Sequence, residues 1–539
     1  MEMIAIGDEP RDALLASQAW TLDFPRHAIL TFGVGSRFEG TGDAPGWGRF
    51  VVAIDGREVA KETVNPRTTH DWKDVTVELE APPLRGVLSI SIHFTDKDGR
   101  GLPQPADLRL AVSDPVLHDR AAYGLKRGVI FISIDTLRRD HVGAYGYAKP
   151  TTPNLDALAR RGVLAADAVS VSSWTLPSHL SMLTSTLPGT HGGTDMKQGF
   201  NRSVPSVAEI LRGLGVATHA VTSHLYVSKT YGLEAGFDSM NFRQDRLAEN
   251  VANHAMDLVD RFGDRPFFMF LHFYDPHWHY APPPDVLKIF ESSYAGTLTG
   301  NLKDFQNLRP EQVKPKDLEH LLALYDGEIR YTDNEIGRLL AHLKERGADR
   351  NTLMVVTSDH GEEFLDHGSW EHQKTLYEEV IRIPLIVSGP GVAARREGQP
   401  VSLLDIAPTI LDYLSVKPAP SMRGVSLLRP VGEFREMYGE TDHTLDGTRL
   451  SFVRGGSKSW KAILRSDPAK QKEASSEWYD LAADPAERTN RPPAEALRVS
   501  IEARARDLGL KSRSGVAKKA VELSDEQKEK LRALGYVGR

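Results

Sequence analysis

The stretch Gly128-Val129-Ile130-Phe131-Ile132-Ser133-Ile134-Asp135 decides the fold class. It is apolar almost without alternation, as expected of a strand buried on both faces of a parallel sheet, and it stops on a carboxylate. Similar runs recur at Val216–Val221, Phe267–Phe273, Leu353–Thr357 and Pro384–Ser388. Helical patterns lie between them, at Asn154–Arg161, Val207–Leu214 and the long Leu318–Arg346. Strands alternating with helices predict an α/β domain around a mostly parallel sheet. Ligands of such sheets bind outside the carboxyl ends of the strands, so the residues just after each run carry the functional reading.

Upstream the pattern is different. Ala28–Phe32, Phe50–Ile54, Val75–Leu79, Leu88–Ile92 and Leu108–Val112 alternate with period two between Gly, Pro and Asp turns, which predicts a small β-sandwich over residues 1–122. It reads as a structural module or as a ligand-binding one, with Trp47 and Trp72 as a sugar platform or simply as core. The α/β domain is placed at 123–430 and an α+β subdomain at 431–539. In the latter, Ser524 and Gln527 form a capping box for a helix that ends before Gly535.

Composition narrows the function classes. The chain has 539 residues, 40% of them hydrophobic and 26% charged, with a formal net charge of -7. That balance gives no basic surface for nucleic acid. The absence of cysteine excludes disulfides, Cys-ligated zinc, iron–sulfur clusters and thiol nucleophiles. No basic, apolar leader opens the sequence and no run of 18 apolar residues occurs. The expectation is a cytoplasmic protein without a membrane partner, with a homo-oligomer left open.

Three strand ends bring polar residues to one crevice. They are Asp135, the run Ser358-Asp359-His360-Gly361-Glu362-Glu363, and the run His272-Phe273-Tyr274-Asp275-Pro276-His277-Trp278-His279. Carboxylates and imidazoles converging in this way suit a divalent cation. A lone Asp at a strand end is as often a helix cap, and only the whole set argues for a metal. The segment Ser172-Ser173-Trp174-Thr175-Leu176-Pro177-Ser178-His179 adds a hydroxyl at a helix start, where the dipole favours an anion. Thr175 or Ser178 taken alone reads as an N-cap.

These motifs, in this order, resemble the sulfatase branch of the alkaline phosphatase superfamily. FISIDTLRRDHVGAYGY with TTPNLDALARRGV is similar to the first metal strand and its helix, and SSWTLPSHLSMLTSTLPGTHG falls at the nucleophile signature. YDGEIRYTDNEIGRLLAHLKERG, TSDHGEEFLDHGSWEHQKTLYEEVIRIPLIV, EWYDLAADPAERTN and the closing LRALGYVGR complete the series. The resemblance covers about Val129 to Arg539. It implies an alkaline-phosphatase-like α/β sandwich and one divalent ion, zinc, manganese or calcium. Asp135, Asp359 and His360 would be its ligands and Thr175 the nucleophile at the metal. It further implies His277 and His372 as catalytic histidines, with His224 a looser match. Asp275 and His279, with His372, have the spacing of a second metal site, or else Asp275-Pro276 merely turns the chain. Loops 185–203 and 281–317 are expected at the mouth of the pocket.

Several positions depart from the family pattern. Thr175 replaces the Cys or Ser that becomes formylglycine, and a secondary alcohol oxidises to a ketone rather than to that aldehyde. Thr136 replaces a second metal-binding Asp. His179 stands where the signature has Arg and joins the catalytic set. Gln373 takes the place of an anion-contacting Lys, with Lys374 next to it. The expectation is therefore hydrolysis of phosphate esters, phosphodiester, phosphonate or phosphomonoester. A sulfatase without formylglycine and a phosphoryl transferase are the alternatives, and the substrate is an anionic small molecule or a glycan-linked ester.

Overall fold

The computed structural model describes the chain apart from residues 1, 7–8, 25–27, 39–45, 67–72, 80–81, 84, 106–107, 120–127, 263–265, 292, 302–303, 305–308, 434, 443–447, 456–459, 468–471, 514–518 and 534–539. An eight-stranded sheet forms its centre, in the order Ser239–Phe242, Ala217–Thr222, Phe267–Phe273, Gly128–Ile134, Thr352–Ser358, Leu385–Ser388, Val163–Ala165 and Arg395–Glu397. The first five run parallel. Leu385–Ser388 runs antiparallel to its neighbours, an orientation that an apolar run alone does not reveal.

Alternate residues of these strands feed two cores. Val129, Phe131, Phe268, Phe270, Leu353 and Val355 face one layer, which holds the helices Thr175–Thr184, Val207–Gly213 and Ile406–Tyr413. Ile130, Ile132, Ile134, Met269, Leu271 and Val356 face the other, built from Pro153–Ala159, Ala248–Phe262 and Pro315–Glu345. Burial on both faces is why the strands read as continuous apolar runs.

The register then aims the chemistry. Ser133 pairs with His272 on one side and with Thr357 on the other, and Ile134 pairs with Phe273 and Ser358. Asp135 and Asp359 therefore leave adjacent parallel strands at the same level. The long helix, through Tyr325, Asp326 and Asp333, anchors the segment on the C-terminal side of Asp135. Asp326 accepts from Tyr147 and Lys149 and pairs with His141, while Asp333 accepts from the amides of Asn154 and Leu155 at the start of the Pro153–Ala159 helix.

At the N-terminus, a five-stranded and a four-stranded antiparallel sheet share one core. Leu30, Phe32, Val34 and Leu110 from the first sheet meet Phe50, Val52, Leu88 and Ile90 from the second. Trp47 is 37% exposed, and Trp72 lies outside the described residues. The strands Glu436–Thr441, Arg449–Gly455, Trp460–Asp467 and Lys472–Asp480 form a four-stranded antiparallel sheet. It packs on Leu376 and Ile381, and so braces the segment that carries His372. The Ser524–Gln527 capping box is present at the helix Asp525–Ala533. Gly535 lies outside the described residues.

Candidate metal centre and active site

Asp135 and Asp359 are both fully buried, and His360 lies with them. Ligand atoms of the three approach within 4.8 Å of one another. Asp359 Oδ1 accepts from the amides of His360 at 2.9 Å and Thr136 at 3.3 Å. His360 Nδ1 donates to the Gly361 carbonyl at 2.9 Å, so Nε2 faces the carboxylates. It sits 3.2 Å from Asp359 Oδ2 and 3.6 Å from Asp135 Oδ1. Neither of those carboxylate oxygens accepts a hydrogen bond. Two buried carboxylates with oxygens turned inward beside an imidazole nitrogen fit a divalent cation.

The electrostatics of the three side chains agree. Burial, then the Asp359 charge, raise the Asp135 pKa to about 6. Burial lowers that of His360, but Asp359 and Asp135 override it and raise it to about 9. An incoming ion displaces the His360 proton between about pH 6 and 9, and the Asp135 proton as well below about 6. Metal affinity is therefore expected to rise about tenfold per pH unit across the upper window, and more steeply below it. Competition titrations against a metal-binding dye at several pH values check this, and a flat profile would contradict it.

Thr136 comes next with φ +55°, a left-handed conformation costly for a β-branched residue. The strain is held from both sides: its amide is drawn to Asp359, and its carbonyl accepts the Tyr325 hydroxyl at 2.7 Å. The same hydroxyl accepts from the Arg138 amide at 2.8 Å. Tyr325→Phe is expected to cost about 1–3 kcal/mol, because it leaves both buried groups without a partner. Urea unfolding of the metal-free protein measures that loss, which should be accompanied by weaker metal binding.

Thr175 is the first residue of the Thr175–Thr184 helix. The N-cap is Trp174, in extended conformation and with no side-chain cap, so the Thr175 hydroxyl is not consumed by capping. Its Oγ1 lies 3.5 Å from His360 Nε2, at the positive end of the helix dipole. One turn later His179 Nδ1 donates to the Thr175 carbonyl at 2.8 Å, and its Nε2 meets Ser133 Oγ at 3.0 Å. Burial pushes the His179 pKa down to about 4. The side chain at the signature's Arg position is therefore neutral and braces the backbone of Thr175.

His272 stands at the head of the third polar run, but the sequence assigns it no role at the site. Its Nδ1 accepts the Ser223 amide at 3.4 Å, so Nε2 donates to Asp135 Oδ2 at 3.2 Å and leaves Oδ1 for the ion. The available signal is a histidine inside the otherwise apolar strand Phe267–Phe273.

Two further imidazoles complete the pocket. His277 Nδ1 donates to the Trp278 carbonyl at 2.8 Å, its ring stacks on Tyr274 at 4.5 Å, and burial lowers its pKa to about 4. His372 lies with its ring 4.3 Å from His360 and 5.1 Å from His277, and its Nδ1 is 3.1 Å from the buried Glu362 carboxylate. His224 sits one ring further out, stacked on Tyr274 at 5.1 Å.

Other sequence candidates are not brought in. Asp275 takes a backbone hydrogen bond from Ala248, at the start of the Ala248–Phe262 helix, and burial raises its pKa to about 7. His279 is exposed. Among the described residues, the groups close enough to hold an ion are Asp135–Asp359–His360 and His367–Glu379–Glu487, and Asp275, His279 and His372 join neither. Lys374 donates to Glu371 at 2.7 Å rather than reaching the pocket. The Gln373 amide donates to the Ser173 carbonyl at 2.9 Å, which ties the His372 loop to the segment before Thr175.

The Sulfatase family model matches residues 127–416. The chain belongs to the sulfatase family. It is similar to an arylsulfatase of Clostridium perfringens, 23% identical across 68% of this chain and 90% of that one. It is also similar to the human N-sulphoglucosamine sulphohydrolase, 31% identical across 52% of this chain and 59% of that one. Among solved structures, the phosphonate monoester hydrolase of Agrobacterium radiobacter superposes with a TM-score of 0.58 at 20% identity, covering 74% and 99% of the two chains. A structure solved in complex with its substrate D-glucosamine-2-N,6-O-disulfate superposes equally, with TM-score 0.58 at 20% identity, covering 72% and 98%. This sulfatase-family chain is accordingly a hydrolase with the alkaline-phosphatase-like fold. The sequence reading ranks phosphate esters first, whereas these relatives are mostly sulfatases and put sulfate esters at least level with them.

Proposed function

We propose that this sulfatase-family protein hydrolyses an anionic ester at the Asp135–Asp359–His360 centre, with Thr175 as nucleophile and a sulfate ester as substrate. The position of Thr175 Oγ1, 3.5 Å from His360 and uncommitted to capping, carries the reading of the nucleophile. The sulfatase relatives support the ester class. Asp135, Asp359 and His360 would hold a divalent ion (zinc, manganese or calcium), which would supply Lewis acidity when bound.

Thr175 Oγ1 forms a bond to sulfur as the bond to the leaving oxygen breaks. The proton of the hydroxyl passes to an imidazole of the pocket, His372 or His277, and from there to the leaving oxygen. Glu362 fixes the ring of His372 for that exchange. His179 and His272 hold the Thr175 carbonyl and Asp135 in place. Water then cleaves the threonine ester. The substrate is an anionic small molecule or a glycan-linked ester, and two of the relatives act on or bind N-sulfated sugars by name.

One observation favours a second reading. Thr175 cannot furnish an aldehyde hydrate, and an alkoxide suits phosphate or phosphonate esters equally well, with an alcohol as acceptor giving a transferase. Turnover of nitrophenyl sulfate, phosphate, phosphodiester and phosphonate by metal-stripped protein, resupplied with zinc, manganese or calcium, separates the two. Metal-dependent sulfate turnover is the expected result. Faster phosphonate or phosphodiester turnover replaces it with the second reading, and silence on all four overturns both.

A further inference from the structure

Arg138 and Arg139, just beyond the metal strand, also line a separate cavity of about 170 Å³, together with Arg382 and Arg488. The carboxylates on its wall already hold cations. Asp140 and Asp366 both pair with Arg138, at 2.8 and 2.7 Å. Glu379 pairs with His367 at 2.6 Å, and Glu378 with Lys461 and Arg454 at 3.1 and 3.2 Å.

Three guanidiniums are not matched in this way, and of these Arg488 donates to the Asp366 carbonyl. No carboxylate among the described residues forms an ion pair with Arg139, whose Nε is buried without a hydrogen bond and whose guanidinium stacks on Tyr145 at 4.4 Å. Among the described residues, Arg382 forms ion pairs with Asp167 at 3.2 Å and Glu378 at 3.9 Å, carboxylates that Arg454 holds more closely. Burial and the like charges of Arg382 and Arg396 push the Arg139 guanidinium below its ordinary value, a strain that a negative charge relieves.

We propose that this cavity is a second anion site, taking a tetrahedral oxyanion between Arg139 and Arg382. Planar guanidinium forks suit paired oxyanion oxygens. Arg138 lines the same cavity and donates to the Glu362 carbonyl at 3.0 Å, so an occupant bears on the loop that carries Asp359 and His360. The oxyanion is either a free inorganic ion or a charged group on the substrate.

Calorimetric titration of chelator-treated protein with sodium sulfate and with sodium phosphate tests the site without reference to turnover. Its outcome is therefore independent of the proposed reaction. One anion per chain is expected, retained in Asp359→Asn and weakened at least about tenfold in both Arg139→Gln and Arg382→Gln. Circular dichroism matching the parent confirms that the arginine variants are folded. Binding unchanged in both arginine variants, lost in Asp359→Asn, or absent with both anions overturns the proposal. If a monosulfated monosaccharide displaces sulfate from the Arg139-dependent site, the occupant is a substrate group. If it does not, the site belongs to the free ion, and either result supports an oxyanion site.

Discussion

Thr175→Ala is expected to lower turnover about 10⁴-fold or more while leaving one metal ion per chain in place. The loss is large because alanine removes the hydroxyl that stands 3.5 Å from His360 at the helix start. Ser178, the next hydroxyl of the helix, is engaged with Ser170 Oγ at 3.2 Å and with the Ser172 carbonyl at 3.4 Å. Metal remains because Asp135, Asp359 and His360 do not depend on the Thr175 side chain. Thr175→Ser should keep most of the rate, since it retains the hydroxyl. Steady-state kinetics paired with elemental analysis checks all three statements. An alanine variant with full activity would falsify the assignment of the nucleophile.

Asp359→Ala is expected to abolish both stoichiometric metal binding and turnover. It removes the inward-facing Oδ2, and it also removes the acceptor of two amides, those of His360 and Thr136. The strained turn at Thr136 then loses one of its two anchors. In the parent protein, an ion at about a thousand times its Kd stabilises the fold by about 4 kcal/mol, so adding chelator should lower Tm clearly. In Asp359→Ala the same chelator should leave Tm where it was. A variant that still responds to chelator would place the ion elsewhere. The gentler Asp359→Asn separates charge from hydrogen bonding, because Asn retains an oxygen for the amides. Removing the Asp359 charge also lets the Asp135 pKa fall back toward the usual carboxylate range.

The sequence makes Asp135, Asp359 and His360 readable as candidate ligands because they follow the ends of two apolar strands, and parallel register turns that position into proximity. It also shows the long helix, which begins at Pro315, three residues earlier than its apolar pattern suggests. The helix Ala248–Phe262 escapes the reading, although Val251, Ala255, Leu258 and Val259 recur at helical spacing and are buried. The strand Arg57–Val64 carries less signal, because only Val64 of its eight residues is fully buried. His272 and Glu362 are harder to assign. Their roles depend on which nitrogen or oxygen faces which neighbour, and periodicity does not encode that. The expected second site at Asp275 and His279 rests on spacing alone. The chain turns after Phe273 and presents Asp275 to a helix end instead.

Asp135 lies more than two hundred positions before Asp359 and His360 along the chain, and the two strands that these candidate ligands follow are neighbours only in the finished sheet. A ribosome that has not yet synthesised residue 359 holds one of the three and offers nothing to chelate. Small zinc modules gather their ion from a few nearby side chains and fold around it. Here the order is reversed: the polypeptide must complete its central layer before an ion has anywhere to bind. On the proposed reading the ion meets a site already built, and cells starved of the proper metal should accumulate folded but unloaded protein that a later supply can charge.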